Sequence, residues 1–318
     1  MAIAFMIIFT QAFIFATLLA FLTLGFNLTY LTARIPNWAH GSFAALGVYI
    51  TLTVTRVWNM NPYYSIPISF FVVGLLGISV YLGVVYTLKR AGAPEIILLI
   101  STLAVDIVMT SSLNIIADYL MYVHKVSSRI FILRDLDIEV FGLPGILVVA
   151  PTLLLIFTVI FSYMLYRTKF GMAMRGTVES PELASILGIN TDMVNLVSWF
   201  ITGGLAGISG ALLPLWFLSD PGIGTMLIID VFAASILGGI RSIYAAIIGS
   251  YIIGFAEVGG TSLLSFIVPE IGGVSVSSYR LLVPLTVLVI TLMILPRGLY
   301  GFYEEYKEKK IKPKEVEA

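Results

Sequence analysis

Met1–Ala33 reads MAIAFMIIFTQAFIFATLLAFLTLGFNLTYLTA, without a single Asp, Glu, Lys or Arg. A helix needs roughly 20 mostly apolar residues to cross about 30 Å of hydrocarbon, so this run alone is long enough to span a bilayer. Four more runs behave the same way: residues 35–55, 57–88, 140–166 and 193–219 are all free of those four residue types. One such run can be a buried helix of a large soluble protein; five cannot. Composition agrees, with 59% hydrophobic and 11% charged residues and a mean hydropathy of +1.01, against about 25% charged residues in an ordinary soluble domain. A water-facing surface cannot be built from so few charges. The expected fold is therefore an all-α, polytopic transmembrane helix bundle, and a soluble enzyme is excluded. The first run lacks a basic n-region and exceeds the length of a signal h-region, so it is expected to stay as a span. Cys is absent, which removes disulfides, thiolate metal sites and Cys nucleophiles.

Working outward, nine spans are expected at about 6–33, 38–56, 66–88, 95–117, 144–166, 192–217, 225–240, 243–262 and 280–296, within a count of eight to ten. The last pair before the final span is short, and the GGIRS between its members reads either as a loop or as a re-entrant turn. Basic residues near membrane ends collect on the cytoplasmic side. Placing Arg34, Lys89, Arg90, the 167–175 stretch, Arg241 and everything from Arg297 onward on one side gathers 13 of the 18 Lys and Arg there. That side is expected to be the cytoplasm. Residues 1–301 then form the transmembrane domain, 167–190 a cytoplasmic loop, and 302–318 a charged cytoplasmic tail, expected to be solvated and disordered.

The loop and its flanks, residues 166–194, read YRTKFGMAMRGTVESPELASILGINTDMV. Both ends of a two-turn helix are marked in it. Ser180 can cap the first amides, Pro181 suits the first helical position, Glu182 favours the positive end of the helix dipole, and Gly188 can close the last turn. Leu183, Ile186 and Leu187 then share one face. Leaving each exposed forgoes roughly 1.5–3 kcal/mol of burial, so the face needs a partner: headgroups, the chain's own bundle, or another protein.

This stretch resembles the cytoplasmic loop of branched-chain amino acid ABC importer permeases. Two more stretches agree: PNWAHGSFAALGVY at 36–49 is similar to that family's Asn-aromatic-Ala-His-Gly segment, and ILGGIRSIYAAIIGSYIIGFAE at 236–257 to its Leu-Gly-Gly-Ile-Gly-Ser-Ile segment. The likeness runs in order from about residue 10 to Gly301, through LPRGLYG, and is closer to the family's H-type subunit than to its M-type. Arg241, Tyr244 and Ala245 depart from the family's usual Gly and Pro-Gly around the turn. The resemblance implies that the loop couples to an ATPase through Arg175, Glu179, Ser180, Pro181, Glu182, Leu183, Ala184, Ile186, Leu187, Gly188 and Ile189. It also implies a second permease subunit, two cytosolic ATP-binding subunits, an extracytoplasmic substrate-binding protein, a plasma-membrane location and no nucleic-acid partner. The substrate class it implies is branched-chain or related small amino acids.

The chain has no Gly-Lys pair, hence no Walker A loop, and no HExxH or recognisable catalytic triad. It is expected to be a transport subunit and not an enzyme, with no catalytic residue, metal or cofactor of its own, and with ATP held by its partners. Gly203, Gly207 and Gly210 fall at i, i+4 and i+7, a groove for close helix packing. Asn37 and His40 stand at a helix start, with His40 expected to make a structural hydrogen bond at the cytoplasmic interface or to act as a gate. Asp106, Asp230 and Glu257 lie inside spans, where ionisable residues are expensive and usually face a bundle interior or a wet cavity. They are candidates for the translocation pathway, or else internal pairs and buried neutral acids. Arg56 and Arg280 are expected to snorkel at interfaces. The rival class is an ion-coupled secondary transporter using the three carboxylates as a relay.

Overall fold

The computed structural model describes residues 2–271 and 274–311. Twelve helical stretches carry the fold: α1 (Ala2–Ala33), α2 (His40–Arg56), α3 (Ser65–Val80, continued by a π-helical turn Tyr81–Tyr86 to Thr87–Arg90), α4 (Glu95–Val123), α5 (Gly145–Arg167), α6 (Lys169–Glu179), α7 (Pro181–Ile186), α8 (Thr191–Leu212), α9 (Ile223–Gly238), α10 (Ile243–Gly254, continued by a π-helical turn Phe255–Gly260 and Thr261–Ile267), α11 (Leu282–Ile294) and α12 (Gly298–Ile311). Two-residue strands pair as Glu139–Val140 with Leu143–Pro144 and as Glu270–Ile271 with Val274–Ser275.

Each of the nine expected spans coincides with a helix, but they are not equivalent. Among the described residues seven stretches are long and apolar enough to cross a membrane: Phe5–Ala33, Pro62–Arg90, Glu95–Val123, Gly145–Arg167, Thr191–Leu215, Ile243–Ile267 and Leu282–Lys307. The exceptions are α2 and α9, with 17 and 16 residues. Most of α2 and α9 is buried, while α4 and α11 bury few side chains within the chain.

The short helices are short because they start inside the bundle. The imidazole Nε2 of His40 lies 2.8 Å from the carbonyl of Leu22, eleven residues before the end of α1, or about 16 Å at 1.5 Å per residue. The chain between Arg34 and His40 therefore runs back into the protein without helical structure, with Ile35, Asn37 and Ala39 almost fully buried. Non-helical backbone at such depth is tolerated only where protein or a cavity surrounds it. The expected span starting at 38 and the interfacial position of His40 are corrected accordingly: His40 is fully buried. The start of α9 meets the start of α2. A Cβ on Gly41 would stand 2.0 Å from the Gly224 carbonyl oxygen, and one on Gly224 2.5 Å from that of Gly41.

Helix α8 is the central post. A Cβ on Gly203 or Gly207 would come 2.4 Å from the carbonyl oxygens of Val73 and Ser69 in α3, and one on Gly210 would come 1.9 Å from that of Ala44 in α2. The three glycines thus admit two different helices. Later in the chain, α9 and α10 form a hairpin whose four-residue connection contains Gly239 at φ 106° and the cap Ser242, which accepts from the Ala245 amide at 3.3 Å. Closeness requires Gly238 there, since a Cβ on it would stand 2.1 Å from the Ala245 carbonyl oxygen. The tail departs from expectation too. Residues 302–311 continue α12, with Glu305 paired to Arg297 at 2.9 Å and Glu304 and Lys307 spaced i and i+3, a helix-supporting pattern; residues 312–318 lie outside the described residues.

Candidate functional site

Three features concentrate the chemistry. The first is the elbow between α5 and α8. Thr168 caps α6 by accepting from the Gly171 amide at 3.1 Å, and Gly171 is needed because a Cβ would stand 2.2 Å from the Met164 carbonyl oxygen. Ser180 caps α7 by accepting from the Leu183 amide at 3.3 Å, Pro181 occupies its first turn, and Gly188 takes φ 83° just past its end. The elbow is tied to the bundle on one side only. Ala184 is buried, Ile189 packs near Met174 and Val194, and Arg34, just past α1, donates to the Val178 carbonyl at 2.6 Å. Arg175 stacks over the Tyr166 ring at 5.3 Å, and Glu179 and Glu182 are exposed. The opposite face carries Leu183, Ile186 and Leu187, exposed by 61%, 81% and 80%. The chain's own bundle does not cover them.

The second feature runs along α4. Ser42 of α2 donates to Asp106 Oδ1 and lies 3.1 Å from the Thr110 hydroxyl. Asn114 donates to the Thr110 carbonyl at 2.9 Å and accepts from Arg129 Nη1 at 2.6 Å, and Arg129 also donates to Asp118 through Nε at 3.0 Å and Nη2 at 2.6 Å. From Asp106 to Asp118 this hydrogen-bonded track runs twelve residue steps, about 18 Å of helix. Asp118 and Arg129 remain 41% and 46% exposed. Asn37 stands at the head of the track's neighbourhood: its Oδ1 accepts from the Ala39 amide at 3.1 Å, and the Trp38 amide donates to Thr102 of α4 at 3.3 Å.

The third feature is a buried ion cluster at the end of the bundle opposite the elbow. Glu257, in the π-helical turn of α10, accepts from Arg280 Nε; its residue is 1% exposed and Asp230 beside it 2%. Asp230 and Glu257 face the same cavity. The Arg280 guanidinium lies 4.4 Å from the Phe15 ring centroid. These groups line a cavity of about 520 Å³ together with Gln11, Trp216, the hydroxyl side chains of Thr261, Ser262 and Ser278, and apolar side chains. Arg280 is thus no snorkelling residue; a buried carboxylate holds it in place. Arg56 by contrast pairs with Asp135 at 3.0 Å on the surface.

The structure joins Asp230 with Glu257, leaves Asp106 on a separate track, and separates both from the elbow. Sequence reading missed helix α6, the Arg129–Asp118 pair and the Arg280–Glu257 pair. The Thr168 cap was a usable signal for α6. No local signal existed for Arg280, which stands 23 residues from Glu257.

Comparison with known proteins fits this arrangement. The sequence model of the family described as "Branched-chain amino acid transport system / permease component" matches residues 8–293. A "Probable branched-chain amino acid transport permease protein LivH" of Methanocaldococcus jannaschii is 37% identical over 290 residues, 91% of this chain and 90% of that protein. The "High-affinity branched-chain amino acid transport system permease protein BraD" of Pseudomonas aeruginosa is 24% identical over 89% of this chain and 91% of its own length. The Escherichia coli LivH permease protein is 34% identical over 135 residues, 42% of this chain and 40% of its own. With seven long apolar helices and a family match over nearly its whole length, this chain is a multi-pass membrane protein that belongs to the family of branched-chain amino acid transport system permease components.

Proposed function

We propose that the chain is a membrane-spanning subunit of an ABC importer for branched-chain or related small amino acids, working beside a second permease subunit. Two cytosolic ATP-binding subunits hold and hydrolyse the ATP; an extracytoplasmic binding protein delivers the solute; this chain holds no cofactor. The observation that carries the reading is the elbow: a capped, glycine-terminated helix, anchored on one face, presents Leu183, Ile186 and Leu187 to the outside. An ATPase cleft that accepts this face moves it on closing, and the anchored elbow passes the motion to α1, α5 and α8. Polar groups along α4 are costly against lipid, so that side is assigned to the second subunit and to the path of a zwitterion, with Asp106, Thr110, Asn114 and Asp118 as its wall. Asn37 and His40 hold the break before α2 in place beside it.

On this reading the membrane is the plasma membrane, and the elbow and α12 are cytoplasmic. Cysteines replacing Ser185 in the elbow and Ser127 after α4, both exposed positions, test the orientation. In intact cells the Ser127→Cys protein reacts with an impermeant thiol reagent and the Ser185→Cys protein does not; the reverse pattern overturns the assignment. Reconstitution of the complex in proteoliposomes tests the energy source. Leucine uptake follows internal ATP and survives collapse of ion gradients; loss of uptake on adding ionophores at constant ATP establishes an ion-coupled transporter instead.

A further inference from the structure

The cavity around Asp230 contains more polar capacity than the protein uses. Among the described residues, Asp230 Oδ1 and Glu257 Oε2 are buried acceptors without a hydrogen-bond partner, and Trp216 Nε1 is a buried donor without one. All three side chains line the same cavity, as does Arg280, whose Nε alone is bonded to Glu257. Orphaned buried groups of both kinds in one cavity call for a ligand with both kinds of complement. The Asp230 and Glu257 oxygens are acceptors that a cationic donor group would meet, and Trp216 and Arg280 are donors that an anionic group would meet. A metal ion or sodium would satisfy the two acids but leave the indole N–H unpaired and sit against the guanidinium. A simple anion would satisfy Trp216 and Arg280 but face two carboxylates. Most of the remaining lining is apolar, with Phe15, Leu213, Ile223, Leu227 and Val258, and Gln11, Thr261, Ser262 and Ser278 add neutral polar groups.

Resting on the proposed function above, we infer that this cavity, within the body of this one chain, is a binding site for a zwitterionic α-amino acid with an aliphatic side chain. The ammonium group goes to Asp230 and Glu257, the carboxylate to Arg280 and Trp216, and the side chain to the apolar wall. Three further observations fit. The volume of about 520 Å³ lies in the range of small-molecule sites. The Phe255–Gly260 turn that supplies Glu257 is π-helical, a distortion frequent at functional sites. The cavity also lies by Gln11 and Phe15 of α1, whereas the elbow is tied to Arg34 at the far end of the same helix, so it stands where an external binding protein would release its cargo.

Equilibrium binding of labelled L-leucine to the full chain in nanodiscs, without binding protein or ATPases, tests the site. Saturable binding is expected, displaced by L-valine and L-isoleucine. 4-Methylpentanoate, which lacks the ammonium group, and 3-methylbutylamine, which lacks the carboxylate, should each compete at least about tenfold less well, since each lost charge-assisted hydrogen bond is worth about a tenfold change or more. Glycine, which keeps both charges but has no side chain to bury against the apolar wall, should also compete at least about tenfold less well. Asp230→Asn should weaken leucine at least about tenfold, and Trp216→Phe several-fold. Trp216→Phe keeps a ring for Arg134, which stacks there at 3.9 Å, so a thermal melt shows whether it folds as the wild type does. Wild-type protein that melts cooperatively yet binds no leucine overturns the inference, as does unchanged binding by both folded variants. If ATP-driven leucine uptake by the complex persists in that case, the inference alone falls; if the complete complex moves no branched-chain amino acid, the proposed function falls with it.

Discussion

The elbow and the cavity depart from ordinary partition in opposite directions. At one end of the bundle, Ile186 and Leu187 are about four-fifths exposed at the end of a six-residue helix. At the other, the carboxyls of Asp230 and Glu257 are almost wholly buried. An exposed apolar face forgoes burial, and a buried charge needs a partner. The cavity meets part of its need inside the chain, through Arg280, and the elbow meets none of it. The two regions teach that surface imperfection and interior imperfection have different consequences: disturbing the first costs association with other proteins, disturbing the second costs the fold itself. Substitutions can separate these.

The largest effect is expected at the elbow. Leu187→Asp places a charge in the docked face, with an effective penalty of several kcal/mol, so co-purification with the ATPases should fall by orders of magnitude. The melting temperature of the isolated chain should not move, because the site is exposed. Leu187→Met, nearly volume-conserving, should keep both association and uptake. A melt that collapses in Leu187→Asp breaks the contrast.

Arg280→Met reverses the pattern. It strands Glu257 as an unpaired buried carboxylate and should lower stability by about 3–5 kcal/mol, read by thermal unfolding in detergent. Adding Glu257→Gln should restore much of that loss. Equal stability of the single and double variants would mean that the Arg280–Glu257 pair holds nothing together.

Packing at the central post should come next. Gly210→Ala puts a methyl group 1.9 Å from the Ala44 carbonyl oxygen and should cost about 1–3 kcal/mol as α2 is pushed away. Gly83→Ala, with nothing within 4 Å of its Cβ, should gain up to about 1 kcal/mol by removing a helical glycine. The same melts check both. The smallest effect belongs to the surface: Arg297→Ala removes an exposed pair with Glu305 and should change stability by less than about 1 kcal/mol.

Much of this architecture is legible in the amino-acid sequence. The capped α7 and its apolar face are readable because helix caps and i, i+3, i+4 spacing are local. The apolar runs locate every spanning helix because lipid leaves no other way to satisfy the backbone. The glycine groove on α8 is readable as a close-approach surface, although not that it serves α2 and α3 together. His40 is misplaced by such reading because hydropathy cannot distinguish an apolar segment that crosses the membrane from one that turns back into the bundle. Arg280 is misread for a related reason: a lone Arg near a span end looks the same whether it reaches toward water or toward a buried acid.

By itself, then, the sequence determined that this chain lives in the membrane as a helix bundle, where its helices lie, and which short loop helix has an unpartnered apolar face. Each of these follows from hydrophobicity, capping and spacing along a few turns of chain. Only the tertiary structure decided that α2 and α9 begin inside the protein against each other, that Ser42 and Arg129 complete a polar track on α4, and that Asp230, Glu257, Arg280 and Trp216 share one cavity. Those are juxtapositions of residues far apart in sequence, set by which helices the glycines allow to approach, and no local pattern encodes them.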